Sequence, residues 1–285
     1  MSGISVFLKP ENFQRTGAFK IRGALNAVLD MEPEKGRKGI ITASSGNHGQ
    51  AVALAGSISG YPATVVMPEN ASRAKIDAVR GYGAEVIFCG TSSRERIDLA
   101  EKLCRQKDLS FIHPFNDPLV MAGQGTIGLE ILQDLPDVEN VIVPIGGGGL
   151  ISGIATAIRE TDPRIRIIGV EPEKSNSMYL SVQAGQRKQL DHIVSIADGL
   201  KTTIPGSNTF PVVQKYVDHI VLVSEEDIRR AMVQLLERCK ILVEPSGAVP
   251  VAAMLYHGKA FEGSKTVAVL SGGNVALDDL KSFLN

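Results

Sequence analysis

Short runs of β-branched and other apolar residues alternate with stretches of helical periodicity along almost the whole chain. The run KGIITAS at 38–44 precedes a helical pattern over 46–59, and NVIVPIG at 140–146 precedes another over 150–160. Apolar strands that alternate with helices of this length are typical of α/β proteins with parallel sheets. About six such units exceed what one compact sheet needs, so we expect two sheets or lobes, with a site between them at the carboxyl ends of strands.

The composition is that of an ordinary globular protein: 285 residues, of which 44% are apolar and 21% charged. A net charge of -1 without a basic block argues against nucleic-acid and membrane-surface binding. The N-terminal residues lack the pattern of a secretory signal, and no apolar run approaches the roughly 20 residues that span a bilayer. Three widely spaced cysteines, Cys89, Cys104 and Cys239, fit reduced thiols. We therefore expect a cytoplasmic protein.

Four consecutive glycines, Gly146–Gly149, separate a predicted buried strand from a predicted helix. Amide groups at a helix N-terminus bind phosphate, and glycine lets a ligand approach the backbone closely. The run lacks the Gly-Lys-Ser/Thr ending of the Walker pattern. The pattern G-x-G-x-x-G occurs instead at 123–128, where the preceding residues indicate a helix rather than a strand. The four glycines therefore predict an anion site that does not serve a nucleotide cofactor, with a plain loop as the alternative.

Two further polar turns follow predicted strands. The segment ITASSGNHGQA at 41–51 places hydroxyl, amide and imidazole groups at a helix N-terminus, which suits a carboxylate or an ordinary N-cap. The segment VLSGGN at 269–274 is a weaker signal of the same kind. The remaining histidines show no metal-ligand spacing, and we interpret them as structural or surface residues: His113, His192, His219 and His257.

Lys20 lies in a segment of small and apolar residues, QRTGAFKIRGA at 14–24. A lysine in an amphipathic helix is ordinarily exposed, but a buried lysine has a lowered pKa and serves as a nucleophile toward carbonyls. A lysine, a phosphate site, a second anion site and a hydroxyl turn together suit pyridoxal 5'-phosphate bound covalently to Lys20.

The chain closely resembles the fold-type II pyridoxal-phosphate enzymes, in particular the group of threonine and serine dehydratases and serine racemases. The resemblance runs in order from about Val6 to the C-terminus and rests on five segments: FLKPENFQRTGAFKIRGA, SSGNHGQA, AGQGTIGLE, VPIGGGGL and LSGGN. It implies two lobes, each with a mostly parallel sheet flanked by helices, and the cofactor in the cleft between them. A large cofactor-binding domain would comprise 1–41 and 120–285, and a small substrate-loop domain would comprise 42–119.

The resemblance also implies roles for individual residues. Lys20 would hold the cofactor covalently and act as the base at Cα of the substrate, and Phe19 would pack on the cofactor ring. Asn47 would bond the phenolic oxygen, and Ser271 would face the pyridine nitrogen. The phosphate would be held by Gly146, Gly147, Gly148, Gly149 and Leu150. The substrate would be bound by Ser44, Ser45, Gly46, Asn47 and His48.

The activity implied is that of a dehydratase, which converts L-threonine to 2-oxobutanoate and ammonia, and L-serine to pyruvate and ammonia. A serine racemase or a 3-hydroxyaspartate dehydratase is the first alternative, and a homologue that binds cofactor without turnover is the second. Ser45 is the second catalytic candidate, because racemases use a serine before Gly-Asn as a base on the opposite face of Cα. The expected partners are a small amino acid and further copies of the chain, in a dimer or tetramer.

Two features depart from the resemblance. Racemase-type relatives bind a divalent cation through E-P-x-x-x-x-D, whereas here Glu171 is followed six positions later by Ser177. We therefore expect no metal at this place. The segment that usually precedes the FLK strand is absent, and the chain ends soon after SGGN. The short C-terminal part favours the catabolic type of threonine dehydratase.

Overall fold

The computed structural model describes residues 5–261 and 265–284. The strands are β1 (Ser5–Pro10), β2 (Ile40–Ala43), β3 (Ala63–Met67), β4 (Glu85–Phe88), β5 (Ser110–Phe111), β6 (Asn140–Pro144), β7 (Arg166–Pro172), β8 (His219–Val223) and β9 (Lys265–Leu270). The helices are α1 (Lys20–Leu29), α2 (Pro33–Lys38), α3 (Asn47–Ser59), α4 (Arg73–Gly81), α5 (Ser93–Lys107), α6 (Pro118–Asp134), α7 (Gly149–Thr161), α8 (Ser177–Ala184), α9 (Thr209–Tyr216), α10 (Glu225–Gln234), α11 (Pro245–Tyr256) and α12 (Leu277–Leu284).

The chain divides into two compact units, one of residues 1–13 and 124–285 and the other of residues 14–123. The first unit contains a five-stranded parallel sheet in the order β1-β9-β6-β7-β8. The second contains a four-stranded parallel sheet in the order β4-β3-β2-β5. Parallel strands need crossover connections, and helices supply them in both units. The predicted α/β class with two parallel sheets is confirmed.

The core of unit 14–123 explains where its boundary falls. Helix α1 contributes Ile21 and Val28 to a buried cluster that also contains Val52 of α3 and Val65 of β3. Residues 14–41 therefore belong to this unit, whereas the sequence placed them in the large domain. The apolar face of α1 packs against α3, and this contact joins segments that are separated along the chain.

The core of the other unit lies under its central strands. Strands β6 and β7 are buried along almost their whole length, and Ile142 and Ile168 form a cluster with Ala248 and Val249 of α11. Helix α7 buries a stripe of isoleucines at helical spacing, Ile151, Ile154 and Ile158. The four glycines lie at the junction between the end of β6 at Pro144 and the start of α7 at Gly149.

Helix α6 settles the assignment of the G-x-G-x-x-G pattern. Residues 123–128 lie in the middle of this helix, so the prediction that they form no nucleotide loop is confirmed. Asp117 Oδ1 accepts the amide hydrogens of Leu119 at 2.7 Å and Val120 at 3.2 Å, and Pro118 occupies the first turn. These are ordinary start signals of a helix. Among the described residues, no helix is both long and apolar enough to cross a bilayer.

Candidate active site

Lys20 is the first residue of α1 and is half-buried. Its Nζ donates a hydrogen bond of 2.7 Å to the carbonyl oxygen of Pro114, and it lies 5.0 Å from the centre of the Phe19 ring. Pro114 follows β5, so the amine lies at the carboxyl edge of the sheet of unit 14–123. Sequence reasoning did not identify Pro114, because a backbone carbonyl has no signature in residue type.

A turn organised by His113 presents this carbonyl to Lys20. The Nδ1 atom of His113 accepts the amide hydrogens of Phe115 at 3.2 Å and Asn116 at 2.8 Å. Burial, and then the charge of Lys20, lower the pKa of His113 to about 4. The imidazole is therefore neutral at physiological pH, and Nδ1 acts as an acceptor. The structural interpretation of His113 holds, and its role is to shape the turn that receives Lys20.

His48 is buried beneath the same turn, with 3% of its surface exposed. Its Nε2 lies 2.9 Å from the carbonyl oxygen of Ile112, which also accepts the hydroxyl of Thr42 at 2.9 Å. Because its partner is a carbonyl, Nε2 carries the proton, and within the described residues Nδ1 is buried without a partner. Burial, and then the charge of Lys20, lower the pKa of His48 to about 3. Its side chain therefore anchors the start of α3 to the end of β5.

The turn from β2 into α3 carries the remaining predicted residues of this unit. Gly46 is the N-cap of α3, and the Ser44 hydroxyl accepts the Gly46 amide hydrogen at 3.2 Å. No hydrogen bond from a side chain caps this helix among the residues that the structure describes. Ser45 and Asn47 are half-buried. The turn therefore offers first-turn amides and hydroxyls to an anion, at the same edge of the sheet as Lys20.

The four glycines form a tight turn between β6 and α7 in the other unit. Gly148 has a φ of +95°, and a Cβ atom placed on it would lie 2.7 Å from Cε of Met178 and 2.8 Å from Oγ1 of Thr209. A side chain at this position is therefore excluded both by backbone conformation and by its neighbours. No side-chain hydrogen bond caps α7 among the described residues, and Leu150 is buried in its first turn. A helix N-terminus of this kind is suited to an anion such as a phosphate.

Ser271 follows β9, the strand adjacent to β6, so it lies at the same edge of the sheet as the four glycines. It is buried, and its hydroxyl donates a long hydrogen bond of 3.4 Å to the carbonyl oxygen of Ser246. The Ser246 hydroxyl accepts the amide hydrogen of Gly199 at 2.9 Å. A hydroxyl with only a long hydrogen bond can turn to another polar partner at this edge of the sheet.

Glu171 is fully buried near the end of β7. Its two carboxyl oxygens accept amide hydrogens from the first turn of α8, Met178 at 3.1 Å and Tyr179 at 2.7 Å. Burial raises the pKa of Glu171 to about 8, and these two hydrogen bonds limit the rise. Within the described ranges, no group of three or more His, Cys, Asp or Glu side chains is placed to hold a metal ion. Glu171 thus caps a helix.

Acidification is expected to destabilise the protein through His48 and His113. The unfolded chain protonates both near pH 6.5, whereas the native state keeps them neutral down to about pH 3 for His48 and about pH 4 for His113. The unfolded state therefore binds more protons in this window. The contribution of each histidine to the free energy of unfolding is therefore fully present above pH 6.5. On acidification below pH 6.5 each contribution falls by about 1.4 kcal/mol per pH unit.

Urea unfolding of the cofactor-free protein between pH 7 and 5 checks this expectation. Glu171 acts with the opposite sign between its unfolded pKa of 4.5 and about 8, so the slopes of variants are compared with that of the wild type. His48→Gln should flatten the dependence on pH, and His192→Gln, at an exposed position, should leave it unchanged. Parallel slopes for His48→Gln and the wild type would refute the assignment.

The predicted residues thus form two groups. Lys20 and Phe19 share unit 14–123 with residues 44–48, and the four glycines share the other unit with Leu150 and Ser271. Each group lies at the carboxyl ends of neighbouring parallel strands. One unit thus carries an amine and a polar turn, and the other carries a glycine turn at a helix N-terminus and a buried serine hydroxyl.

Residues 1–272 match the family described as pyridoxal-phosphate dependent enzymes, and the chain belongs to that family. It is 54% identical over 273 residues to the L-threonine ammonia-lyase of Geobacter sulfurreducens, across 96% of this chain and 68% of that protein. The processed form of threonine deaminase isoform 2 from Solanum lycopersicum matches with a TM-score of 0.96 and 39% identity, across 99% of this chain and 78% of that one. A maize serine racemase matches with a TM-score of 0.94 and 40% identity, across 99% and 87%.

Proposed function

We propose that the protein is an ammonia-lyase that uses pyridoxal 5'-phosphate to convert L-threonine to 2-oxobutanoate and ammonia, and L-serine to pyruvate and ammonia. The observation that carries the proposal is the 54% identity to an L-threonine ammonia-lyase over nearly the whole chain. The lysine at the start of α1, the polar turn before α3, the glycine turn before α7 and the serine after β9 support the proposal. The family itself establishes the cofactor class.

The residues present fit the cofactor. The first-turn amides of α7 and the four glycines would bind its phosphate, since no side-chain hydrogen bond caps α7 among the described residues and glycine lets a ligand approach the backbone closely. Lys20 would bond to its aldehyde carbon, because a primary amine held against a neutral carbonyl is a suitable nucleophile once it loses a proton. Ser271 would donate to or accept from its ring nitrogen.

The bound cofactor supplies an electron sink for the negative charge that develops at Cα of the substrate. Lys20 removes the proton from Cα, and the carbonyl of Pro114 holds the amine while it carries that proton. The turn before α3 binds the substrate carboxylate through its amides and hydroxyls. His48 stays neutral and keeps that turn in place from beneath.

Ser271 favours elimination over a long-lived negative charge at Cα. A hydroxyl cannot keep a ring nitrogen protonated as a carboxylate would, so the sink is weaker. The β-hydroxyl of threonine or serine would leave as water, which in net terms takes up the proton removed from Cα, and its departure would consume the charge as it forms. The side chain at position 271 therefore supports a lyase.

One assay tests the function directly. The holoenzyme is incubated separately with L-threonine, L-serine, D-serine and 3-hydroxyaspartate, and both the oxo acid and the chirality of the remaining amino acid are measured. Oxo acid and ammonia in equal amounts from the L-amino acids support the proposal. Turnover of 3-hydroxyaspartate in preference to threonine would favour the dehydratase alternative. A protein that binds cofactor and releases no product from any of them would be an inactive homologue.

Serine racemization is the second candidate, because the fold does not separate the two activities. The threonine deaminase and the serine racemase match with TM-scores of 0.96 and 0.94. Ser45 supports this candidate: a half-buried hydroxyl in the substrate turn is a second acid–base group if it faces Cα from the side opposite Lys20.

Replacing Ser45 with alanine is expected to remove D-serine formation from L-serine and to leave threonine dehydration within about threefold. A positioned acid–base group contributes roughly 10²–10⁴-fold, so its loss is measurable even for a minor product. Chiral chromatography and oxo-acid detection give the two rates. Ser44→Ala is the matched control, because it removes the hydrogen bond to Gly46 and should raise KM for threonine. Loss of threonine dehydration in Ser45→Ala would show that Ser45 shapes the turn and does not act as an acid–base group. Formation of more D-serine than pyruvate from L-serine by the wild type would overturn the lyase proposal.

Assembly into a dimer or tetramer stays a prediction, and sedimentation of the holoenzyme tests it.

A further inference from the structure

The carbonyl of Gly147 is held by a side chain from outside the glycine turn. The hydroxyl Oγ1 of Thr209, the first residue of α9, lies 2.6 Å from this oxygen and 3.3 Å from the carbonyl oxygen of Gly206. A hydroxyl has one proton to donate, and the shorter distance assigns it to Gly147. The amide of Gly206 adds a longer hydrogen bond of 3.3 Å to the same oxygen.

This hydrogen bond sets the direction of an amide that faces away from Thr209. The carbonyl of Gly147 and the N–H of Gly148 belong to one planar trans peptide, in which the two groups point in opposite directions. Holding the oxygen on the Thr209 side therefore turns the N–H of Gly148 to the other side of the turn. Glycine has no side chain to restrict such a peptide, so an external contact has to do it.

Thr209 is itself held rigidly. It is fully buried, and its backbone carbonyl accepts a hydrogen bond of 3.3 Å from the Ser152 hydroxyl in α7. A Cβ atom placed on Gly148 would lie 2.9 Å from Cβ of Thr209, so the two residues are in close contact. Thr209 thus connects the glycine turn, the beginning of α7 and the beginning of α9.

We propose that Thr209 is the positioning residue of the phosphate site, which acts by fixing the Gly147–Gly148 peptide so that its N–H points at the phosphate of the cofactor. The inference rests on the proposed cofactor role of the four glycines. Without the hydroxyl, this peptide rotates more freely and the amides no longer converge before the ligand arrives. Thr209 touches no reacting atom, so its effect is on affinity for the phosphate group.

Two forms of the ligand separate this role from a general effect on folding. Pyridoxal 5'-phosphate and pyridoxal share the aldehyde and the ring, and only the former carries a phosphate. Both are titrated into cofactor-free protein and followed by absorbance. In Thr209→Val, which replaces the hydroxyl by a methyl group of similar size, Kd for pyridoxal 5'-phosphate should rise about ten- to a hundred-fold, the range for loss of a buried hydrogen-bond partner. Kd for pyridoxal should change less than about twofold, because no hydrogen bond to phosphate is involved.

Thr209→Ser and Thr266→Val are the controls. Thr209→Ser retains the hydroxyl and should keep Kd for pyridoxal 5'-phosphate within about threefold of the wild type. Thr266 is another buried threonine of the same unit, at the opposite end of β9 from Ser271, where it accepts a hydrogen bond from Asn140. Thr266→Val makes the same chemical change away from the turn and should leave the ratio of the two Kd values unchanged.

The inference is overturned if Thr209→Val weakens both ligands equally, or neither, or if Thr209→Ser behaves like Thr209→Val. Should Thr209→Val fail to fold, Ser152→Ala removes the support of the Thr209 carbonyl and should raise the same ratio by a smaller factor. The binding ratio is independent of substrate. If Thr209→Val shifts the ratio of the two Kd values but the wild type does not act on L-threonine, the lyase proposal is refuted and this inference stands. If the ratio is unshifted and the wild type is an active lyase, this inference is refuted and the lyase proposal stands.

Discussion

Replacing Lys20 with alanine is expected to give a folded protein that turns over L-threonine at least about a thousand-fold more slowly, because the base at Cα and the covalent link to the cofactor are lost together. Borohydride reduction of the wild-type holoenzyme should attach the cofactor permanently to one peptide, which contains residue 20. The variant should show no such attachment. Oxo-acid formation measures the loss of turnover. Absorbance of the cofactor and peptide mapping after proteolysis measure the covalent attachment.

Two lysine controls sharpen this result. Lys20→Arg keeps a positive charge that can bond to the carbonyl of Pro114, but a guanidinium does not form the covalent link, so it should be as inactive as Lys20→Ala. Lys38→Ala removes an exposed lysine of the same unit, paired with Asp108, and should retain activity. Attachment of the cofactor to a lysine other than Lys20 would refute the assignment.

Replacing Gly148 with aspartate is expected to lower the affinity for pyridoxal 5'-phosphate by several orders of magnitude. The new side chain would collide with Met178 and Thr209 and displace the turn. Its negative charge would also lie beside the proposed phosphate site, where repulsion between like charges at close range in a partly buried place costs several kcal/mol. Gly148→Ala tests the steric part alone, since its Cβ would meet Met178 and Thr209 at 2.7–2.8 Å. We expect a smaller loss of affinity, about tenfold or more, for the alanine variant.

Gly185→Ala is the matched control for backbone strain. Gly185 ends α8 in the same unit and has a φ of +66°, but a Cβ atom placed on it would meet nothing within 4 Å. The variant should lose about 1 kcal/mol of stability or somewhat more through its left-handed conformation and keep its affinity for the cofactor. Fluorescence titration with the cofactor and thermal unfolding separate the two quantities. Equal cofactor affinity for Gly148→Asp and the wild type would show that the phosphate binds elsewhere.

The class of fold was predictable because its signal is local. Buried parallel strands appear in the sequence as short apolar runs, and helices show a periodic apolar pattern. Helices also have start signals in the sequence, such as Asp117 and Pro118 at the start of α6. Four glycines between a strand and a helix are an equally local signal, since they permit the left-handed φ of Gly148 and precede the first-turn amides of α7. The family resemblance needed no more than this.

The division into units required the tertiary structure. The apolar stripe of α1 shows that this helix is covered on one side, but the stripe does not say by which element. Packing of Ile21 and Val28 against the cluster around Val52 places residues 14–41 in unit 14–123. Contacts between segments far apart in sequence are specified by shape and volume over many residues, which a local pattern does not contain.

The sequence by itself determined which residues are candidates to bring chemistry to this protein: the amine of Lys20, the hydroxyls of Ser44, Ser45 and Ser271, and a run of four glycines suited to an anion. Only the tertiary structure decided what holds them. Lys20 rests on the carbonyl of Pro114, and the Gly147 carbonyl is held by Thr209. Carbonyl groups are common to all residues and their partners come from distant segments, so no motif marks them. The type of a residue shows which chemical group it carries, whereas contacts between distant segments set how that group is oriented.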